Sequence, residues 1–123
     1  MSFINIKSFV KSVSYAWRGI RQAYKSEQNF RLDTFAAVIV VALMVFFRLT
    51  WGEVIVLTLM IILVMVLELV NTSVEKMTDL FKPRMHHYAE AVKDILAGAV
   101  LIASLGALFV GFLIFYPYIL GQK

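Results

Sequence analysis

Glu68, Asn71, Glu75 and Asp79 follow one another at intervals of three, four and four residues, so on a helix turning about 100° per residue they fall within roughly 80° of one face. The stripe therefore holds three carboxylates. Residues 54–67, which precede Glu68, include Thr58 as their one clearly polar side chain. A carboxylate behind such a run is expensive to place near hydrocarbon and stands as a functional-site hypothesis by default. A side chain of this kind is suited to general-base work. The plain alternative is a solvated helix end past the membrane, which suits Asp79 better than Glu68.

Glu90, Lys93 and Asp94 open the last apolar stretch, and Glu27 lies after the first helical segment. Carboxylates supply oxygen ligands for a hard cation such as magnesium, and a lysine supplies a point charge for phosphate. Together they are what a magnesium-bound nucleotide needs, although ordinary interhelical ion pairs use the same residue types. His86 and His87 are adjacent, so they do not share a helix face and make a poor metal pair. A loop role is expected for them.

The elements that must position these groups are membrane helices. The chain has 123 residues, 61% of them hydrophobic and 16% charged, which is too apolar for a soluble core of this size. It contains no cysteine, so disulfide frames and thiolate metal sites are excluded. The net charge of +4 is modest, and the basic residues flank apolar runs, which fits a membrane surface rather than nucleic acid. The charged first thirty residues argue against a cleaved signal peptide.

Ile6, Phe9, Val10, Val13, Trp17, Ile20 and Tyr24 recur at three- and four-residue spacing, with Lys7, Lys11, Arg18, Arg21 and Lys25 on the other side. This predicts an interfacial amphipathic helix over 5–26. Three spans are expected, over 33–51, 53–80 with a cytoplasmic extension, and 88–119, in a single domain covering 1–123. The fold class is thus an all-α membrane protein of three transmembrane helices behind a surface helix. Arg48 and Trp51 suit one boundary of the first span; Pro117 and Gly121 mark the end of the third. Ten basic residues lie before the first span or between the second and third, against Arg48 and Lys123 on the other side. The positive-inside bias puts the amino terminus and the Asn71–Asp94 segment in the cytoplasm.

Glu68-Leu69-Val70-Asn71-Thr72-Ser73-Val74-Glu75 with Asp79, followed by Ala91-Val92-Lys93-Asp94-Ile95-Leu96-Ala97-Gly98-Ala99-Val100, resembles the signature of the bacterial diacylglycerol kinase and undecaprenol kinase family. Tyr15-Ala16-Trp17-Arg18-Gly19 and Ser26-Glu27-Gln28-Asn29-Phe30-Arg31 resemble its amino-terminal helix and the turn after it. The likeness runs over roughly residues 6–119.

The resemblance implies an ATP-dependent, magnesium-requiring lipid kinase of the bacterial plasma membrane, working as a homotrimer with active sites shared between neighbours. No G-x-x-x-x-G-K-[ST] loop is present, so phosphate binding of the P-loop type is excluded. By the match, Glu68 is the base that meets the lipid hydroxyl, with Asn71 beside it and Asp79 in support. Glu27 and Glu75 hold magnesium on the nucleotide. Lys93 contacts phosphate, Asp94 and His86 seat the nucleotide, and Tyr15 borders it. Ser8 departs from the arginine that the diacylglycerol kinases carry, so Lys7 or Lys11 would have to supply a basic contact there. Tyr15–Gly19 looks closer to the diacylglycerol branch, whereas Ala97–Val100 and Gly111–Pro117 look closer to the undecaprenol branch, which is slightly favoured. A small proton-coupled transporter using Glu68 is the rival reading. Ala99, Ala103, Ala107 and Gly111 form a small-residue stripe that either packs within the subunit or supports the trimer.

Overall fold

The computed structural model describes residues 3–81, 83–84 and 86–123. The described residues form four helices: α1 (Ile6–Ser26), α2 (Gln28–Phe46), α3 (Trp51–Phe81) and α4 (His86–Ile119). The described residues contain no strand. The last three helices are each long and apolar enough to cross a membrane.

Each boundary has a local cause. Asn5 caps α1 by accepting a 3.1 Å bond from the Ser8 backbone N–H, which satisfies one of the donors a helix start leaves unpaired. The break between α1 and α2 is one residue long, the extended Glu27 at φ −116°, ψ 114°. The first span was expected over 33–51, but its helix starts earlier and ends earlier. It starts at Gln28 because helical hydrogen bonding needs no apolar side chains, only lipid contact does. It stops at Phe46 because Arg48 takes φ 54°, with Arg48 N–H bonded to the Val45 carbonyl and Leu49 N–H to the Met44 carbonyl. That is the Schellman arrangement.

Trp51, placed by the sequence at the end of the first span, opens α3 instead. Thr50 and Glu53 explain this: Glu53 N–H bonds the Thr50 hydroxyl at 3.3 Å, while Thr50 N–H bonds the Glu53 carboxylate at 3.1 Å. The two form a reciprocal capping box. His86 and His87, expected in a loop, are the first two residues of α4. Pro117 does not end α4, which runs on to Ile119 because losing one backbone donor is tolerated in a last turn. Gly121 at φ 72° closes it, with Gln122 N–H bonded to the Pro117 carbonyl at 2.8 Å. Glycine adopts this left-handed conformation without steric penalty.

α3 is the axis of the molecule: α4 and α2 pack along it, and α1 touches α2 and α3. At about 1.5 Å per residue its 31 residues span about 46 Å, well beyond a hydrocarbon core of about 30 Å. The excess carries its last turns into the aqueous layer. The three-helix core of Met44, Leu57 and Phe115 lies toward the α2–α3 turn. At the other end Ala23 of α1, Phe30 of α2 and Ala89 of α4 are buried, and small residues there let the helices approach. Of the 34 residues of α4, Ala89 and Phe115 are buried, so lipid or another subunit must cover most of this helix.

Candidate active site

Glu68 is 5% exposed, which is unusual for a carboxylate. Counted from Trp51 at the opposite boundary, a core of about 30 Å ends near the twentieth residue of α3, so Glu68 sits just inside the membrane edge. Thr72 secures that stretch, its hydroxyl donating to the Glu68 carbonyl at 2.9 Å. Three other carboxylates act electrostatically on the Glu68 side chain: Asp33 of α2 most strongly, then Glu27 and Glu75. The stripe read from the sequence is thus joined by Asp33 of α2 and by Glu27, the residue at the break between α1 and α2. Asn71 belongs to the same face, and its buried Oδ1 has no hydrogen-bond partner among the described residues.

This donor set can be tested against a magnesium ion. Glu27, Glu75 and the unpaired Asn71 oxygen are the oxygen donors that such an ion takes. Among the described residues, no three His, Cys, Asp or Glu side chains converge to hold a metal by themselves. Magnesium commonly uses one or two carboxylates and completes its shell with water and phosphate oxygens. The residues therefore fit a magnesium ion that takes the rest of its shell from water or phosphate oxygens.

The remaining expected site residues fall into two groups. Lys93 of α4 reaches back to α3, its Nζ 2.9 Å from Asp79 Oδ1. The pair joins the two helices beyond the membrane edge and keeps an ammonium on the stripe side of α3. Asp94 is exposed one residue later, and His86 is exposed at the start of α4 with its ring 5.9 Å from that of His87. On α1, Tyr15 is exposed and carries the Arg18 guanidinium 5.5 Å above its ring. Within one chain no packing joins α1 to α4 among the described residues. Tyr15 thus lies on one flank of α3 and His86, Lys93 and Asp94 on another. Lys82, one of the basic residues counted for orientation, lies outside the described residues, as does Met85.

Two features escaped the sequence reading. Asp33 belongs neither to the stripe nor to the group at the start of the last span, though a carboxylate at the same membrane end as Glu68 is the available signal. It also forms the polar end of an apolar groove of about 670 Å³ between α2, α3 and α4, walled by Ala37, Val40, Val64, Ala107 and Phe112. The second feature is at the opposite end. Glu53 accepts hydrogen bonds from Thr50, from the Tyr118 hydroxyl and from Lys123 Nζ at 3.1 Å. That hydrogen bond holds the Lys123 ammonium above the usual lysine range. Thr50-Trp51-Gly52-Glu53 carries the capping-box spacing that would have revealed half of this cluster.

The model of the prokaryotic diacylglycerol kinase family matches residues 14–115. A diacylglycerol kinase of Synechocystis sp. is 40% identical over 110 residues, which is 89% of this chain and 63% of that protein. The chain thus spans less than two thirds of that relative's length. An undecaprenol kinase of Bacillus subtilis is 35% identical over 112 residues, covering 91% of each chain. A diacylglycerol kinase of Haemophilus influenzae is 34% identical over 94 residues, 76% of this chain and 80% of that one. With a matched region that takes in α2, α3, the carboxylate stripe and most of α4, this chain belongs to the prokaryotic diacylglycerol kinase family of lipid kinases.

Proposed function

We propose that this chain transfers the γ-phosphate of ATP to the hydroxyl of a membrane lipid alcohol, undecaprenol in preference to diacylglycerol. The observation that carries the reading is the position of Glu68, buried at the membrane edge beside Asp33, Glu27 and Glu75. There it meets a hydroxyl held at the lipid surface on one side and a nucleotide from water on the other. Glu68 accepts the hydroxyl proton as the lipid oxygen bonds to the γ-phosphorus. The bond from that phosphorus to the bridging oxygen breaks, ADP departs, and a lipid phosphate remains. Glu27 and Glu75, with Asn71, hold the magnesium of the nucleotide, which supplies charge neutralisation on the phosphates. Lys93, already on the stripe side of α3 through Asp79, contacts phosphate. Asp94 and His86 seat the nucleotide and Tyr15 borders it. Phosphoryl transfer asks mainly for positioning and electrostatics, which these groups provide.

The preference for undecaprenol is supported by Ala97–Val100 and Gly111–Pro117, and by the near full-length likeness to an undecaprenol kinase. The homotrimer is supported by the separation of α1 from α4 within one chain, since a neighbour's helix would bring the two flanks together. A Cβ at Gly111 would meet nothing within 4 Å in one chain, which leaves room on the small-residue stripe for a second copy. An amino terminus and a site on the cytoplasmic side of the bacterial plasma membrane are supported by the excess of basic residues at that end of the spans.

The test is labelled phosphate transfer from ATP to undecaprenol and to diacylglycerol, offered together in detergent micelles. Labelled undecaprenyl phosphate in excess of phosphatidic acid is the expected result. Transfer to diacylglycerol alone would overturn the preference, and transfer to neither would overturn the reading.

A further inference from the structure

Arg31 lies one turn into α2, yet its guanidinium is turned back on α1. Its Nη1 donates to the Tyr24 carbonyl at 2.9 Å and to the Lys25 carbonyl at 3.0 Å. These belong to the last turn of α1, where a helix leaves carbonyls without internal partners. A charged donor there also complements the helix dipole.

Between the two helices stands Glu27, at once the C-cap of α1 and the N-cap of α2. Its backbone N–H bonds the Ala23 carbonyl at 2.8 Å, and its carbonyl accepts from Arg31 N–H at 3.3 Å. Its side chain makes no capping hydrogen bond, although the N-cap position favours residues that do. Its carboxylate is within electrostatic reach of Glu68. The point from which that carboxylate extends therefore follows from the angle of the elbow at Glu27, and Arg31 bridges that elbow.

We propose that Arg31 is a positioning residue: by clamping the α1–α2 elbow it fixes Glu27 against the carboxylates of α3, and through Glu27 the seat of the metal-bound nucleotide. The inference rests on the reading of Glu27 as a magnesium ligand. Both bonds leave one nitrogen, Nη1, whose two N–H groups reach adjacent carbonyls at the end of a long stem.

The experiment uses the full chain in detergent micelles. Manganese–ATP binding is followed by electron paramagnetic resonance, beside KM and kcat for magnesium–ATP, in Arg31→Ala, Arg31→Lys and Glu27→Gln. With a charge-assisted contact removed, Arg31→Ala should weaken manganese–ATP binding about tenfold and raise the nucleotide KM to a similar degree. At saturating nucleotide kcat should stay within about threefold, because Glu68 is untouched. Arg31→Lys should recover part of the affinity, and it carries the test if Arg31→Ala fails to assemble. Wild-type manganese–ATP affinity in an assembled Arg31 variant, or a fall in kcat at unchanged KM, would overturn the clamp. Wild-type affinity in Glu27→Gln would remove the metal reading itself, and the clamp with it, which separates the two failures.

Discussion

Replacing Glu68 with glutamine keeps the size of the side chain and removes both its charge and its capacity as a base. General-base catalysis is typically worth about 10²- to 10⁴-fold, which corresponds to about 2.7–5.4 kcal/mol of transition-state stabilisation. Stability should move the other way. Glu68 is 5% exposed and feels the charges of Asp33, Glu27 and Glu75. A close like charge near a protein surface is unfavourable by on the order of 1–3 kcal/mol. Glu68→Gln relieves that crowding, so its thermal midpoint in detergent should match or exceed that of the wild type. The assay is labelled phosphate transfer to lipid at saturating magnesium–ATP, with the melting curve taken on the same preparation. Activity above about a tenth of wild type would refute the base role. A midpoint lowered by several degrees would show instead that Glu68 is a structural group whose loss disturbs the helix packing.

Glu27→Gln and Glu75→Gln should each raise the magnesium concentration needed for half-maximal transfer, because a hard cation held by two carboxylates loses one of them; an unchanged magnesium titration would count against the pair. Ala103→Leu adds bulk to the small-residue stripe of α4 and should lower crosslinked trimer and kinase activity together. Intact trimers with full turnover would show that the stripe makes no subunit contact. Glu53→Ala removes a capping-box partner worth about 1 kcal/mol and the acceptor for Tyr118 and Lys123. It should lower the thermal midpoint while leaving activity per folded protein unchanged, and a fall in turnover at low temperature would contradict that division.

The long apolar runs were legible because lipid imposes one chemistry over about twenty residues, and residues 54–67 and 95–118 obey it without a charged side chain. The carboxylate stripe was legible for a related reason: three- and four-residue spacing survives the fold as one helix face. What periodicity could not carry was the elbow. Whether Ser26-Glu27-Gln28-Asn29 is a loop or a single extended residue depends on Arg31 reaching back to Tyr24 and Lys25, a contact between helices that no pattern within either one encodes. The same limit hid Asp33, whose importance comes from a neighbour 35 positions away on α3. At the other end, the left-handed Arg48 gave no warning, since that conformation is ordinarily announced by glycine or asparagine.

The two polar clusters of α3 are far apart, and the separation has a consequence for supply. From Glu53 to Glu68 the helix rises about 22 Å, while at the Glu53 end residues 47–50 make a four-residue turn between α2 and α3. That turn is too short to gather a lipid head group from its own leaflet and carry it to Glu68. On the proposed reading of Glu68 as the base, a lipid alcohol stranded in that leaflet has to cross the bilayer before it can be phosphorylated. In sealed vesicles with substrate on both sides, product should form in a rapid phase limited to the leaflet at the Glu68 end. The slower phase that follows should report the rate of lipid crossing rather than the rate of chemistry, and an added lipid-scrambling agent should merge the two.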